Sequence, residues 1–245
     1  MPVKHNPDAI RIVPTSNHVA TPPPGLNYLG GPLISNVAVH TVYWGSYWST
    51  AVGPSIGDID GFFRYVVQSP FVTQLTEYNA GGFVIGLGTF AQSTVLNLQV
   101  GNVLNDSDIQ AELRSIARRA RVKHPPPHIN DLYFVLTPPN VQVNMGGTSS
   151  CSSFCGYHND ISGGIYYAVI PYPACAGCAN GGSVFGSITM HASHELAEAI
   201  TDPIPGAGWY DNQSGEIGDF CNAQPKNLGG YVVQKIWSAQ HHQCV

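Results

Sequence analysis

The stretch Ser187–Pro203, SITMHASHELAEAITDP, decides the fold and concentrates the chemistry of the chain. Small and apolar residues fill it, and a proline cannot continue a helix, so we predict one long helix from about Val184 to Thr201. Residues four apart project from the same face of a helix. The sequence therefore places the side chains of His194 and Glu198 next to each other.

This pair follows the HExxH pattern of zinc-binding helices, with a carboxylate in the position of the second histidine. Histidine and glutamate both ligate zinc, and we predict His194 and Glu198 as zinc ligands. Glu195 comes directly after the first ligand, where the HExxH pattern has its general base, so it is our candidate catalytic residue. Such a short pattern also arises on ordinary solvated helices, because Glu and Ala are good helix formers.

Catalytic zinc sites have three protein ligands and one open position, so a third ligand is required. The segment GEIGDFC at 215–221 offers two acids. We predict Glu216 as the third ligand and Asp219 as the neighbour that orients a ligand, with an exchange of these roles as the alternative. His158, in CGYHND, is the rival, either as a ligand or as a catalytic donor to a transition-state oxyanion.

Three further residues have candidate roles. Tyr210, in GWYD, is a candidate catalytic donor to the oxyanion through its hydroxyl. His191 lies one turn before His194, but a lone histidine is more often packed than ligating. Asp202 ends the helix and is the candidate for a separate calcium ion. A serine hydrolase is not favoured, because the sequence has no G-x-S-x-G turn.

The remaining apolar runs predict strands and helices in alternation. Strands are expected at 36–45, 82–88, 131–139, 163–173 and 230–238. Helices are expected around Ile59–Val67 and from Ser107, the second with a Ser107–Gln110 capping box. A loop rich in Gly, Ser and Cys is expected between the third and fourth strands. This order indicates an α/β or α+β fold with a mixed sheet, organised as a Pro-rich arm at 1–30 and a single domain at 31–245.

Composition limits the function classes. Charged residues make up 10% of the 245-residue chain, far below the roughly 25% of an average domain, and low charge is common in secreted proteins. Only 10 residues are Lys or Arg and the net charge is −5, so nucleic acid is not an expected partner. We expect no membrane span and a monomer. No signal peptide is visible, because the first 24 residues lack an apolar core.

The six cysteines fall into three groups along the sequence. An even number in a chain of low charge favours disulfides and an oxidising compartment. The alternative is a four-cysteine zinc site made by the first two groups. The groups are Cys151 with Cys155, Cys175 with Cys178, and Cys221 with Cys244.

Several motifs resemble bacterial and fungal relatives of the plant EXORDIUM, or phosphate-induced, proteins. They are HELAEAITDP, GWYD, GEIGDFC, GYVVQKIWS, the opening strand LGGPLISNVAVHTVYWGSYW and the cysteine loops SSCSSFCGYHND and YPACAGCA. The resemblance runs from about Tyr28 to Val245. It implies secretion or a cell-wall location, and its helix implies a zincin-like fold. The positions that match are His158, His194, Glu195, Glu198, Trp209, Tyr210, Glu216 and Asp219.

Together these features predict a zinc-dependent hydrolase, a secreted metallopeptidase that cleaves peptide bonds in a protein or peptide substrate. The alternative is a non-catalytic extracellular protein, stabilised by a metal, that binds glycan or a protein partner. A third hypothesis gives the same metal-activated water an ester or an amidated sugar as its substrate. A ligand shell that is closed to solvent would favour the second hypothesis.

Overall fold

The computed structural model of the protein describes residues 12–14, 25–51, 53–123, 129–162 and 164–245. In this part of the chain the architecture is α+β, with several sheets and four α-helices. The helices are α1 (Ile56–Val66), α2 (Pro70–Thr73), α3 (Asp106–Lys123) and α4 (Val184–Thr201). Among the described helices, none has the length and apolar character needed to cross a membrane.

The strands number fifteen in the described residues, and most are short. They are β1 (Ile12–Pro14), β2 (Asn27–Tyr28), β3 (Ala38–Trp44), β4 (Thr89–Leu96), β5 (Val103–Asn105), β6 (Asp131–Leu136), β7 (Gln142–Met145), β8 (Thr148–Ser149), β9 (Phe154–Ile161), β10 (Ile165–Ile170), β11 (Trp209–Tyr210), β12 (Pro225–Leu228), β13 (Tyr231–Gln234), β14 (Trp237–Ser238) and β15 (Gln243–Cys244).

The main sheet has six strands in the order β1-β9-β10-β6-β3-β4. Strands β10, β6, β3 and β4 run parallel, whereas β9 and β1 are antiparallel to their neighbours. Alternate residues of β6 enter two separate cores: Phe134 packs in the core that includes α1 and α4, and Val135 in the core that includes α3. Both faces of the sheet are therefore covered, which explains why its central strands are apolar on both faces.

Helix α4 occupies the predicted span. Its first turn is capped by Ser183, whose hydroxyl accepts a hydrogen bond from the backbone N–H of Gly186 at 2.9 Å. Every residue from Gly186 to Thr201 is buried. The helix packs on β9, β10 and the β12–β13 hairpin. The predicted strand at 230–238 is divided into β13 and β14, and β13 pairs with β12 in a hairpin that packs against α4.

The predicted strand at 82–88 is wrong. Apart from one bridge between Ala80 and Phe83, the backbone there joins no ladder, and the strand β4 begins only at Thr89. Gly88 explains the difference, because a Cβ on it would lie 2.4 Å from the carbonyl oxygen of Val37. Because Gly88 has no side chain, its backbone lies directly against that of Val37. The segment therefore leads into β4, which begins one residue after the predicted strand was expected to end.

The loop expected between the strands at 131–139 and 163–173 is also wrong, because it contains β7, β8 and β9. Strand β9 lies inside the main sheet and is almost wholly buried. Its sequence FCGYHNDI mixes small, aromatic and polar residues and has no clear alternation. Tertiary packing determines this strand, and it carries His158 into the centre of the fold.

Helix α3 begins at Asp106, one residue before the predicted start. The predicted Ser107–Gln110 capping box does not form; the backbone N–H of Asn105 donates to the carboxylate of Asp108 at 3.3 Å instead. Gln110 donates to Asp106 at 2.7 Å. Several cap-forming residues stand in succession here, so the sequence alone did not fix which one closes the first turn. The sequence predicts that KHPPPH at 123–128 ends this helix, and residues 124–128 of that stretch lie outside the described residues.

Two short strands come from the predicted arm at 1–30. Strand β1 pairs with β9, and β2 pairs with β11. The arm is otherwise described only from residue 25, so the predicted division into an arm and a domain stays a prediction.

Disulfides are confirmed. The bonds join Cys151 to Cys175, Cys155 to Cys178 and Cys221 to Cys244. All six cysteines are used, so the alternative of a four-cysteine zinc site is excluded. The first two bonds join the loop before β9 and the start of β9 itself to the segment after β10, rather than the cysteines that are neighbours in sequence.

Replacing Cys221 and Cys244 by serine is expected to lower the free energy of unfolding. The bond closes a loop with a sequence separation of 23, for which loop-closure entropy gives about 3 kcal/mol. Urea denaturation measures the effect. Because Cys221 is buried, the matched Cys→Ala pair controls for the cost of burying a hydroxyl. An unchanged unfolding free energy in both variants would contradict the expectation.

Candidate metal centre

Three parts of the fold bring the predicted site residues together. Helix α4 supplies His194, Glu195 and Glu198, and strand β9 supplies His158 opposite them. The turn before the 3₁₀ helix Asp219–Cys221 supplies Glu216, and the 3₁₀ helix supplies the last acid. The side chains from α4, β9 and Glu216 are 0–1% exposed. The Asp219 side chain is 13% exposed and lies nearest to solvent.

Glu198 lies at the middle of this cluster, with a different histidine near each carboxylate oxygen. Its Oε1 lies 3.0 Å from Nε2 of His194, and its Oε2 lies 3.6 Å from Nδ1 of His158. Two sets of three residues each offer ligand atoms that all lie within 4.8 Å of one another. One set is His194, Glu198 and Asp219, and the other is His158, Glu198 and Glu216.

The donor set fits a zinc ion. Two ligand atoms bound tetrahedrally at 2.0–2.1 Å from zinc would lie roughly 3.3 Å apart. The His194–Glu198 and His194–Asp219 separations are 3.0 and 3.9 Å. Several buried atoms have no partner in hydrogen-bond geometry, although the first two of them lie 3.0 Å apart: Nε2 of His194 and both carboxylate oxygens of Glu198 and of Glu216. Buried polar atoms are almost always paired, and a bound cation would satisfy these.

Gln234, at the end of β13, fixes the ring of His194. Its amide nitrogen lies 2.7 Å from Nδ1 and donates to the carbonyl of Gly218 at 2.9 Å, while its oxygen accepts from the N–H of Ala223 at 3.2 Å. In this arrangement Nδ1 accepts, so neutral His194 carries its proton on Nε2. A metal bound at Nε2 would displace this proton.

His158 is held between a carbonyl and a carboxylate. Its Nε2 lies 3.2 Å from the carbonyl oxygen of Asp202, which can only accept, so Nε2 carries a proton. Its Nδ1 lies 3.1 Å from Oε2 of Glu195. The Asp202 side chain accepts from the backbone N–H groups of Gly206, Ala207 and Gly208. The loop after α4 is thereby tied to the same centre, and the predicted calcium role of Asp202 stays a prediction.

Burial and mutual repulsion shift the pKa values of these groups. Burial, and then the charges of Glu198 and Asp202, raise the pKa of Glu216 well above its usual value. Burial alone would raise the pKa of Glu198, but His194 outweighs it and the pKa is lowered. Burial opposes the charge on His194, yet the nearby carboxylates raise its pKa to about 10. Without a metal, protons must therefore supply the positive charge that the acids need.

Two glycines make room for the cluster. A Cβ on Gly218 would lie 2.8 Å from Oε1 of Glu198 and 3.0 Å from Nδ1 of His194. A Cβ on Gly156 would lie 3.1 Å from Oε1 of Glu195. In both places the backbone must pass directly against a functional side chain, which only glycine permits without displacing it.

Other predicted site residues lie in different surroundings. Tyr210 is buried in β11, and its catalytic role stays a prediction. His191 is buried with neither ring nitrogen hydrogen-bonded, and burial, helped by His194, lowers its pKa to about 3. His191 is therefore a neutral core histidine. The segment that carries Glu216 forms turns and one 3₁₀ helix, Asp219–Cys221.

Sequence reasoning missed Gln234 and the two glycines. Gln234 lies in the motif GYVVQKIWS and Gly218 lies in GEIGDFC, so both belong to motifs that the sequence analysis used. Nothing in their local sequence distinguishes a glutamine that binds an imidazole 40 residues away from an ordinary strand residue.

Comparison with known proteins adds no family to this picture. No protein-family model matches the chain, and no curated protein matches it. The EXORDIUM resemblance stays a prediction that rests on the quoted motifs. The chemistry of the centre therefore rests on its own residues.

The stability of the metal-free protein is expected to fall as pH rises from about 6.5 to 9. The folded pKa of His194 is raised to about 10, against roughly 6.5 in an unfolded chain. The stabilisation is complete below the unfolded value and is lost on the way to the folded one, at up to about 1.4 kcal/mol per pH unit.

Melting temperatures in the presence of a chelator measure this slope. The variant His194→Gln should flatten it, and saturating Zn²⁺ should reduce it, because the ion replaces the proton. A slope that His194→Gln leaves unchanged would contradict the assignment to this histidine.

Gly218→Ala is expected to weaken zinc binding by at least roughly tenfold, the loss typical when the neighbours of a ligand are disturbed. The added methyl group would push Glu198 and His194 apart. Titration calorimetry with Zn²⁺ measures the affinity, and circular dichroism checks the fold. Gly101→Ala is the control, because its Cβ meets nothing within 4 Å. Equal affinities in the two variants would contradict the expectation.

Proposed function

We propose that the protein is a zinc-dependent hydrolase, and that His194, Glu198 and Asp219 would hold the ion. The observation that carries this proposal is the set of buried ligand atoms in the centre that have no hydrogen-bond partner. Zinc fits this donor set because nitrogen and carboxylate oxygen are both among its usual ligands, whereas calcium prefers oxygen alone. Glu216, predicted from the sequence as the third ligand, lies in the same cluster on the side of His158.

When bound, zinc lowers the pKa of a coordinated water and polarises a carbonyl group. Glu195 is the group placed to accept a proton, because its Oε1 is buried without a partner beside the candidate ligands. Burial raises the pKa of Glu195 above its ordinary value, although its bond to His158 opposes the rise. His158 orients Glu195 through the contact between Nδ1 and Oε2.

The substrate class follows from the sequence hypothesis, a peptide bond in a protein or peptide. We further propose a zincin-like arrangement, supported by a metal-site helix packed on a mixed sheet next to the antiparallel strand β9. Secretion is supported by three disulfides and the low charge of the chain.

A second candidate function is a non-catalytic extracellular protein with a structural metal. One observation favours it: five of the six side chains in the centre are 0–1% exposed. A hydrolase needs a path for substrate and water to the metal, whereas structural sites are closed. Under the hydrolase proposal, the approach is from the side of Asp219, the most exposed member.

Replacing Glu195 by Gln separates the two candidates. The variant keeps the size of the side chain but removes its basicity, so hydrolysis of a fluorophore-labelled unfolded protein should fall by roughly 10²–10⁴-fold. Zinc content, measured by mass spectrometry, should stay at the wild-type level because Glu195 is not among the proposed ligands.

Glu112→Gln is the matched control, since Glu112 is a partly exposed acid on α3 that pairs with Arg119. It should leave both quantities unchanged. Zinc in the wild type without hydrolysis of any peptide, ester or amidated sugar would favour the structural-metal protein. Full activity of Glu195→Gln would contradict the proposed mechanism.

A further inference from the structure

The geometry points to a second cation position beside the first, with Glu198 bridging the two. This inference deepens the proposed function, because it concerns the number of metal ions that the same cluster holds. The second position is formed by His158, Glu198 and Glu216, which offer one ligand atom each within 4.8 Å of one another. Nδ1 is the nitrogen that His158 would offer, because Nε2 carries a proton toward the Asp202 carbonyl. A cation there would replace the contact between Nδ1 and Glu195.

The orientation of Glu198 is the first argument. A carboxylate that serves a single ion turns one oxygen, or both, toward one point. Here Oε1 lies 3.0 Å from His194 and Oε2 lies 3.6 Å from His158, so the two oxygens address different histidines. Neither oxygen has a hydrogen-bond partner. Bridging carboxylates in two-metal sites, where the ions are about 3.5–4 Å apart, have this arrangement.

Glu216 gives the second and independent argument. It is 0% exposed, and both of its carboxylate oxygens lack a hydrogen-bond partner. Nε2 of His158 lies 3.5 Å from Oε1 of Glu216, and this nitrogen already faces the Asp202 carbonyl. A first ion held by His194 and Asp219 therefore leaves Glu216 without a ligand role, whereas a second ion on the side of His158 supplies one.

Charge is the third argument. Four carboxylates belong to the centre: Glu195, Glu198, Glu216 and Asp219. When all four are ionised, one divalent cation balances two of the negative charges, and two cations balance all four. An uncompensated charge in a buried site is costly, so the second ion accounts for acids that the first leaves unbalanced.

The test is metal stoichiometry in the full chain. The protein is stripped with a chelator, reloaded with excess Zn²⁺, passed through gel filtration and analysed by mass spectrometry. We expect about two ions per chain in the wild type. Asp219→Asn and Glu216→Gln should each retain about one ion, because each removes a ligand from a different position. Glu198→Gln should lose most of both ions, because Glu198 belongs to both positions. The control Glu112→Gln should keep two ions.

A spectroscopic measurement excludes two unrelated ions. Protein loaded with Mn²⁺ should give an electron paramagnetic resonance spectrum of an exchange-coupled pair, as expected for ions about 3.5–4 Å apart. Glu216→Gln and Asp219→Asn should instead give the spectrum of an isolated ion. Circular dichroism of each variant confirms that it is folded before its metal content is compared.

The outcomes separate this inference from the proposed function. One ion per chain in the wild type would overturn the second position and leave the hydrolase proposal intact. No ion would overturn both. Two ions that both remain in Asp219→Asn and in Glu216→Gln, or that show no exchange coupling, would place the second ion elsewhere and overturn the inference.

Discussion

The structure depends on one electrostatic constraint, which is the burial of several carboxylates beside two histidines under helix α4. Such a group of charges is unstable in a dry interior unless protons, hydrogen bonds or cations balance it. The raised pKa of Glu216 and the high pKa of His194 are two expressions of this same constraint. A bound metal would relieve it more completely than protons do, because one cation pairs with several carboxylates at once.

The surrounding fold keeps this arrangement rigid. Helix α4 is buried along nearly its whole length, between the main sheet and the β12–β13 hairpin. Two disulfides join the loop before β9 and the start of β9 to the segment between β10 and α4, so the strand that carries His158 is fixed to the loop preceding α4. The third joins the 3₁₀ helix that begins at Asp219 to the strand β15. Each segment that contributes to the centre is therefore held by packing, by a covalent bond or by both.

The neighbours of the candidate ligands matter as much as the ligands. Gln234 orients the ring of His194, and the Asp202 carbonyl selects the protonated nitrogen of His158. The backbone at Gly218 lies against both His194 and Glu198. Because these contacts come from the hairpin, the loop after α4 and the turn before the 3₁₀ helix, the geometry of the centre is shared by distant parts of the chain.

The sequence by itself determined the long helix, the central strands, the presence of disulfides and the residues that could form a metal site. These features are local, because they depend on helical spacing, on apolar runs and on the residue types that bind metal. Only the tertiary structure decided the disulfide pairing, the strand β9 and the division of the acids into one set around His194 and another around His158. Those features depend on which segments meet in space, and β9 in particular is a strand because neighbours pair with it and bury it rather than because its own residues alternate.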